Sequence, residues 1–166
     1  GWQDRFASPR FTQRQWDYAH RAGRDQVATP QVIVNGGPAI VGSDPRQLAT
    51  TISRAGAPTG GPTLTASGGG GAGDMMVTVG ARAPASPSTV WLVRYDPGVR
   101  QVAIRAGENG GKTLPHRDIV RQLVDLGTWQ GARLNIRLPA PTEPGLATAI
   151  LVQQGVGGPI TAARRL

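Results

Sequence analysis

The sequence contains no cysteine and only two histidines, His20 and His116. Without a thiol, this chain can form no disulfide, thiolate nucleophile or iron–sulfur site. Two histidines are too few for a protein-only zinc cluster of the usual kind. We therefore expect no metal site, no cofactor and no catalytic residue within these residues.

Long apolar runs are also missing from the sequence. No stretch approaches the roughly 20 apolar residues that a membrane-spanning helix needs. No signal peptide is present, but the chain opens GWQDRF without Met. Its first residues therefore say nothing about where the protein is located.

Glycine, proline and arginine are abundant. The 166 residues include 24 Gly and 14 Pro, which predicts short strands and many loops. The net charge is +8, and every basic residue except Lys112 is Arg. This charge favours acidic partners, but the arginines are scattered from Arg5 to Arg165 without the stripe typical of nucleic-acid binding. We expect no specific nucleic-acid complex.

Helix signals flank the first third of the chain. Ser8 and Pro9 are suited to begin a helix, and Gly23 is suited to end it. One face of this helix carries a mostly apolar stripe, made of Phe11, Gln15, Tyr18, Ala19 and Ala22. Asp44 and Pro45 begin a second helix, where Gln47 is placed to complete a capping box. Its predicted buried edge consists of Leu48, Ile52 and Ala55.

Two short β-branched segments lie between these helices. QVIVN (31–35) and PAIVG (38–42) are separated by Gly36-Gly37, which indicates a tight hairpin. The order of this region is therefore helix, strand, strand, helix.

A change of composition predicts a domain boundary. The segment 57–73 is rich in Gly, Pro, Ser and Thr, which is typical of a linker or exposed loop. It ends in GGGGAG (68–73), which has the spacing of a dinucleotide-binding fingerprint but precedes a strand-like segment instead of opening a helix. We predict one unit over 1–56, the linker over 57–73 and a β-rich unit over 74–166.

The β-rich unit is predicted from alternating apolar residues. Five segments read as strands: MMVTVGA, TVWLVRYD, VRQVAIR, ARLNIRLP and GLATAILVQ. The turn Asp96-Pro97-Gly98 predicts that the second and third of these pair as a hairpin. HRDIVRQLVDLGTW suits either a helix or a long bent strand, and its surroundings favour the strand. Gln153-Gln154 is expected at a solvated strand end.

One segment has the loosest form of a phosphate-binding P-loop. AGENGGKT (106–113) ends in the required Lys-Thr, but a P-loop needs a helix after it. Here Pro115 and His116 follow almost at once. We interpret the segment as a Gly-rich turn between two strands.

Longer motifs resemble a known family. DRFASPRFTQRQ, TPQVIVNG, RAGENGGKTLPHRDIVRQLVDLGTWQG and VGGPITAARRL are similar to a family of secreted, thioredoxin-like bacterial proteins of unknown function. The resemblance covers nearly the whole chain. It implies an α+β fold, with the C-terminal half of a thioredoxin-like fold followed by a mainly antiparallel, β-sandwich-like domain.

The resemblance also implies where a site would lie. Thr29-Pro30 stands where such proteins carry a cis-proline beside the redox site, so these two residues are the expected edge for a substrate or partner. A C-x-x-C motif would belong to an N-terminal part that this chain lacks. We expect that missing segment, or a protein partner, to complete the fold. A second possible site, for an anion or polar group, consists of Glu108, His116 and Arg117.

Two functions follow from this interpretation. The first is an exported, periplasmic or secreted protein that takes part in thiol redox or redox-linked folding when complete. The second is a non-catalytic binding or assembly module that docks an acidic partner in a larger complex. Any catalytic role depends on cysteines outside this chain.

The P-loop interpretation generates the first prediction. The chain is expected to bind no nucleotide, because AGENGGKT has no following helix and no metal-binding Asp downstream. Isothermal titration with Mg-ATP checks this. Saturable binding that disappears in Lys112→Ala would contradict it.

Overall fold

The computed structural model describes residues 5–68, 74–84, 86–107 and 109–166. Within these residues the chain forms α1 (Pro9–Arg21), β1 (Gln31–Ile33), β2 (Ala39–Val41), α2 (Pro45–Ala55), β3 (Leu64–Ser67), β4 (Met76–Val79), β5 (Ser88–Asp96), β6 (Arg100–Ala103), β7 (Thr113–His116), β8 (Ile119–Trp129), β9 (Leu134–Arg137), β10 (Ala147–Gln154) and β11 (Ile160–Arg165). The fold is α+β, as predicted. None of the described helices is long and apolar enough to cross a membrane.

Both helices begin and end where the sequence predicts. Gly23 has a φ of +67° and follows α1, where Arg24 N–H donates to the carbonyl of Ala19 at 2.9 Å. This pattern satisfies the last carbonyls of the helix. At the start of α2, the Asp44 side chain accepts hydrogen bonds from the N–H groups of Arg46 and Gln47, both at 3.0 Å.

The predicted buried edge of α2 is wrong. No described residue of this helix is buried, and the Ile52 side chain is 53% exposed. Leu48 is half-buried and Ala55 is exposed. The periodicity correctly marked an apolar stripe, but periodicity carries no information about whether another element covers the stripe.

The β-rich part is built from two antiparallel sheets that share one core. The larger has the order β11-β10-β5-β8, and the smaller has the order β3-β4-β9. Their facing side chains form a single buried cluster, which comprises Leu64, Val77, Val79, Val90, Leu92, Trp129, Leu138, Ile150, Val152 and Ala162. This arrangement is a β-sandwich.

The predicted pairing of the second and third strand segments is wrong. β5 pairs along its length with β10 on one side and with β8 on the other. Both of its hydrogen-bonding edges are therefore occupied, and β6 pairs with β7 instead. The turn at Asp96 does form, but it directs the chain out of the large sheet. The β6–β7 hairpin is a separate two-stranded sheet.

Three other interpretations have clear outcomes. HRDIVRQLVDLGTW contains strand β8 and no helix, as its surroundings predicted. Strand β3 lies inside the segment 57–73, so part of the predicted linker belongs to a sheet. GGGGAG (68–73) lies almost wholly outside the described residues. Gln153 is 2% exposed, so the prediction of a solvated edge is wrong there. Helix α1 covers this position, and the buried amide is satisfied because it donates to the Tyr18 hydroxyl at 3.1 Å and to the Gly158 carbonyl at 2.8 Å.

Helix α1 lies against the outer face of the large sheet. Its Arg10 guanidinium donates to the Leu123 carbonyl in β8 at 2.7 Å. Near its other end, the Tyr18 hydroxyl accepts from the buried Gln153 amide in β10 at 3.1 Å. Ala19 is 2% exposed. The sandwich thus has one face covered by the helix that precedes the β1–β2 hairpin.

The core and the uncovered helix face give a matched pair of substitutions. Ile150 is fully buried and Ile52 is 53% exposed. Ile150→Ala is expected to lower the free energy of unfolding by about 2–5 kcal/mol, because it removes core contacts and leaves a cavity. Ile52→Ala is expected to change it by roughly 0.5 kcal/mol or less. Urea denaturation of both variants measures the difference, and equal losses would show that Ile52 is covered in solution.

Candidate functional site

The Thr29-Pro30 peptide bond is cis, as the sequence motif predicted. It lies directly before β1, and both residues are exposed. The Pro30 carbonyl accepts a hydrogen bond from Gly42 N–H at 3.0 Å, which closes the end of the β1–β2 hairpin. The N–H and carbonyl of Thr29 make no hydrogen bond with any other described residue. Thr29 therefore presents a free main-chain edge.

This edge forms one side of an open cleft of about 550 Å³ that is lined by Thr29, Pro30, Ser43 and Asn109. We call it the cis-proline cleft. Ser43 lies between β2 and the Asp44 cap of α2, whereas Asn109 lies in the loop between β6 and β7. The cleft therefore joins the helix-and-hairpin part of the chain to the β-rich part.

The Asn109 side of the cleft is the segment AGENGGKT. The segment connects β6 to β7, so it is a Gly-rich turn and not a P-loop. Gly111 N–H donates to the Ile104 carbonyl at 2.8 Å, and Lys112 N–H donates to the Asn109 carbonyl at 3.1 Å. The Lys112 ammonium also donates to the Asn109 side-chain oxygen at 3.1 Å. Lys112 thus holds Asn109 at the cleft.

The second predicted site is only partly described. Glu108 lies outside the described residues. His116 ends β7 and pairs with Arg100, three pairs along the hairpin from Ala103 and Thr113. At about 3.3 Å per residue, His116 is roughly 10 Å along the strands from the end that carries the loop. Arg117 is largely exposed, with a contact of 3.8 Å to Asp118. A joint role for Glu108, His116 and Arg117 stays a prediction.

Charged groups fix the base of the β6–β7 hairpin. The Arg100 guanidinium donates to Asp96 at 2.6 Å, and Gly98 N–H donates to the other oxygen of the same carboxylate at 2.9 Å. The Arg100 hydrogen bond is the main reason that the pKa of Asp96 lies below its usual range, and the Gly98 bond adds to it. Among the described residues there is no group of three His, Cys, Asp or Glu side chains that could hold a metal.

Sequence reasoning missed Ser43 and Asn109. Asn109 lies within a motif that had been noticed, but its position opposite Pro30 is a tertiary contact that no local pattern encodes. Ser43 has no signal of its own beyond its place before the capping Asp44. The cleft also has no cysteine, since the chain contains none, so its own groups can bind but cannot exchange thiols.

The fold and this cleft define an α+β protein in which a helix–hairpin–helix unit with a cis-proline meets an antiparallel β-sandwich. Residues 1–153 match the model of a family described as protein of unknown function (DUF1223), and the chain belongs to that family. Curated proteins give no match.

One solved structure is similar over the whole chain. It is the crystal structure of a protein from Agrobacterium tumefaciens determined by a structural genomics consortium, with 25% sequence identity and a TM-score of 0.73. The match covers 100% of the present chain and 73% of the other chain.

The hairpin base generates a prediction about pH. Because the pKa of Asp96 is lowered in the folded protein, the ionised carboxylate stabilises the fold above the ordinary Asp pKa of about 3.9. This contribution is lost as the pH falls through the lower, folded-state pKa. Asp96→Asn is therefore expected to speed hydrogen exchange of the Val102 and Leu114 amides at pH 6, and the difference from the unmodified chain should vanish in acid.

Asp118→Asn is the matched control, because Asp118 makes only the exposed 3.8 Å contact with Arg117. Faster hydrogen exchange in the Asp118 variant than in the Asp96 variant would contradict this account of the hairpin base.

Proposed function

We propose that this chain is the polypeptide-binding part of an exported, thioredoxin-like protein that acts in thiol redox or redox-linked folding when complete. The observation that carries the proposal is the exposed main-chain edge of Thr29, which is unpaired among the described residues and lies beside an open cleft. In support, the order helix, cis-proline, strand, glycine turn, strand, capped helix is that of the distal half of a thioredoxin fold. Any reacting thiol must lie outside these residues.

The chemistry of the cleft favours an extended polypeptide. Thr29 offers a main-chain N–H and carbonyl that are unpaired within the described structure, and extended segments bind to such edges by main-chain hydrogen bonds. Ser43 and the Asn109 amide add polar groups that can bond to a second peptide unit. A bound segment would lie with its backbone at Thr29 and its side chains towards Ser43 and Asn109.

Binding is tested with the chain as it is. We expect the ¹⁵N-labelled protein, titrated with reduced and carboxamidomethylated α-lactalbumin as an unfolded probe, to show saturable shifts at the Thr29, Ser43 and Asn109 amides. Ser43→Arg should weaken binding roughly tenfold, because a large side chain fills the cleft. Ser67→Arg, at an exposed position on β3, is the matched control. Equal binding by the two variants would rule out the cleft as the binding site.

The redox part of the proposal needs the complete gene product. If that product contains a cysteine pair, it should reduce an aromatic disulfide such as dithiobis(nitrobenzoate). One thiolate attacks the disulfide sulfur, which forms a mixed disulfide and releases one coloured thiolate; the second cysteine then closes the protein disulfide and releases the other. A complete protein that contains no cysteine, or that exchanges no thiol, would contradict the redox part of the proposal and leave only the binding part.

A non-catalytic docking function is the second candidate, and the charge favours it. The chain has a net charge of +8, yet the described residues form only three ion pairs. Most arginines therefore have no acidic side chain paired with them among the described residues, which leaves a positive charge that favours an acidic partner. In this alternative, the sandwich binds the partner and the helix-and-hairpin unit is only a scaffold.

A further inference from the structure

A second, open cleft lies beside α1, where one face of this helix meets strands β5 and β8. It has a volume of about 580 Å³ and is lined by, among others, Arg10, Arg14, Trp91 and Leu123. We call it the arginine cleft. A smaller cavity of about 50 Å³ shares Arg14 and Trp91 with it. The larger volume is in the range of small-molecule sites.

Arg10 and Arg14, on consecutive turns of α1, place their guanidinium groups in the lining of the arginine cleft. Arg10 is held by its 2.7 Å hydrogen bond to the Leu123 carbonyl. Arg14 is held by a 2.9 Å hydrogen bond to the Tyr18 hydroxyl and lies over the rings of Tyr18 and Trp91, at 5.2 and 5.3 Å from their centroids. Each guanidinium has five N–H groups, so further donors remain on both.

The charge in the cleft is not balanced by the described residues. Neither Arg10 nor Arg14 forms an ion pair there. Among the described residues that line the cleft, Asp17 is the one with a carboxylate, and one of its oxygens accepts from the Gln13 amide at 2.9 Å. Two fixed cations thus face a single acidic group, which favours an anionic ligand.

Trp91 is the aromatic residue of the cleft and can report on its occupancy. Its indole Nε1 is buried and has no hydrogen-bond partner among the described residues, although buried N–H groups are normally satisfied. The indole can only donate. Because this atom has almost no accessible surface, a ligand in the cleft would bond to it only after the ring moves. Trp91 does line both cavities and lies beneath the Arg14 guanidinium, so its signal should respond to a ligand bound there.

We propose that the arginine cleft binds a small organic carboxylate with a flat apolar body. The carboxylate accepts from the guanidinium groups of Arg10 and Arg14, since planar guanidinium groups match planar carboxylates. The apolar body packs against Pro9 and Leu123, which form part of the same cleft. This site is separate from the cis-proline cleft and does not depend on its function.

The test follows the indole N–H signals by NMR while sodium benzoate is added. The Trp91 signal, assigned with Trp91→Phe, should shift saturably. Trp129 is an internal control, because its indole already donates to the Ala132 carbonyl at 2.8 Å and should not respond. Benzamide has the same shape without the charge, and it should bind at least about tenfold more weakly.

Two substitutions distinguish benzoate binding in the arginine cleft from a general effect of positive charge. Arg10→Gln should weaken benzoate binding roughly tenfold, whereas Arg46→Gln on the distant helix α2 should leave it unchanged. The proposal is overturned if benzoate causes no saturable shift or if benzamide binds equally well. It is also overturned if inorganic phosphate binds as tightly, which would show an adventitious anion only.

Discussion

The contact between α1 and the large sheet is the constraint on which the rest of the structure depends. The buried Gln153 amide donates both to the Tyr18 hydroxyl at 3.1 Å and to the Gly158 carbonyl at 2.8 Å. It therefore ties the helix to the turn between β10 and β11. A Cβ at Gly157 would collide with the backbone of Asp17, so glycine is needed for this approach. The helix in turn positions the Arg14 guanidinium over the Trp91 ring.

The same turn positions the β1–β2 hairpin. Ile160 N–H donates to the Asn35 carbonyl at 2.8 Å, and a Cβ at Gly36 would collide with the backbone of Gly158. The hairpin is only three residue pairs long and would be marginal by itself. Because the sandwich supports its turn, the opposite end of the hairpin, with the cis Thr29-Pro30 bond, is held in place. The cleft is thus a product of both parts of the chain.

Local patterns predicted the elements, and non-local contacts decided the rest. The caps at Asp44 and Gly23, the hairpin at Gly36-Gly37 and the strand alternation were readable because each depends on neighbours in sequence. The partners of β5 were not, since β8 and β10 occupy both of its edges and leave none for β6. The burial of Gln153 likewise depends on Tyr18, which is 135 positions away in the sequence. Asn109 and Pro30, which line the same cleft, are also far apart in the sequence.

The central claim is that the helix-and-hairpin unit and the β6–β7 loop form one cleft, and a spin label tests it directly. The chain has no cysteine, so Ser43→Cys provides a single attachment site for a nitroxide. The account predicts strong broadening of the Asn109 amide signal by this label, and none by a nitroxide at Ser67→Cys on β3. An Asn109 signal that the label at position 43 leaves unchanged would show that the two parts do not share a cleft in solution.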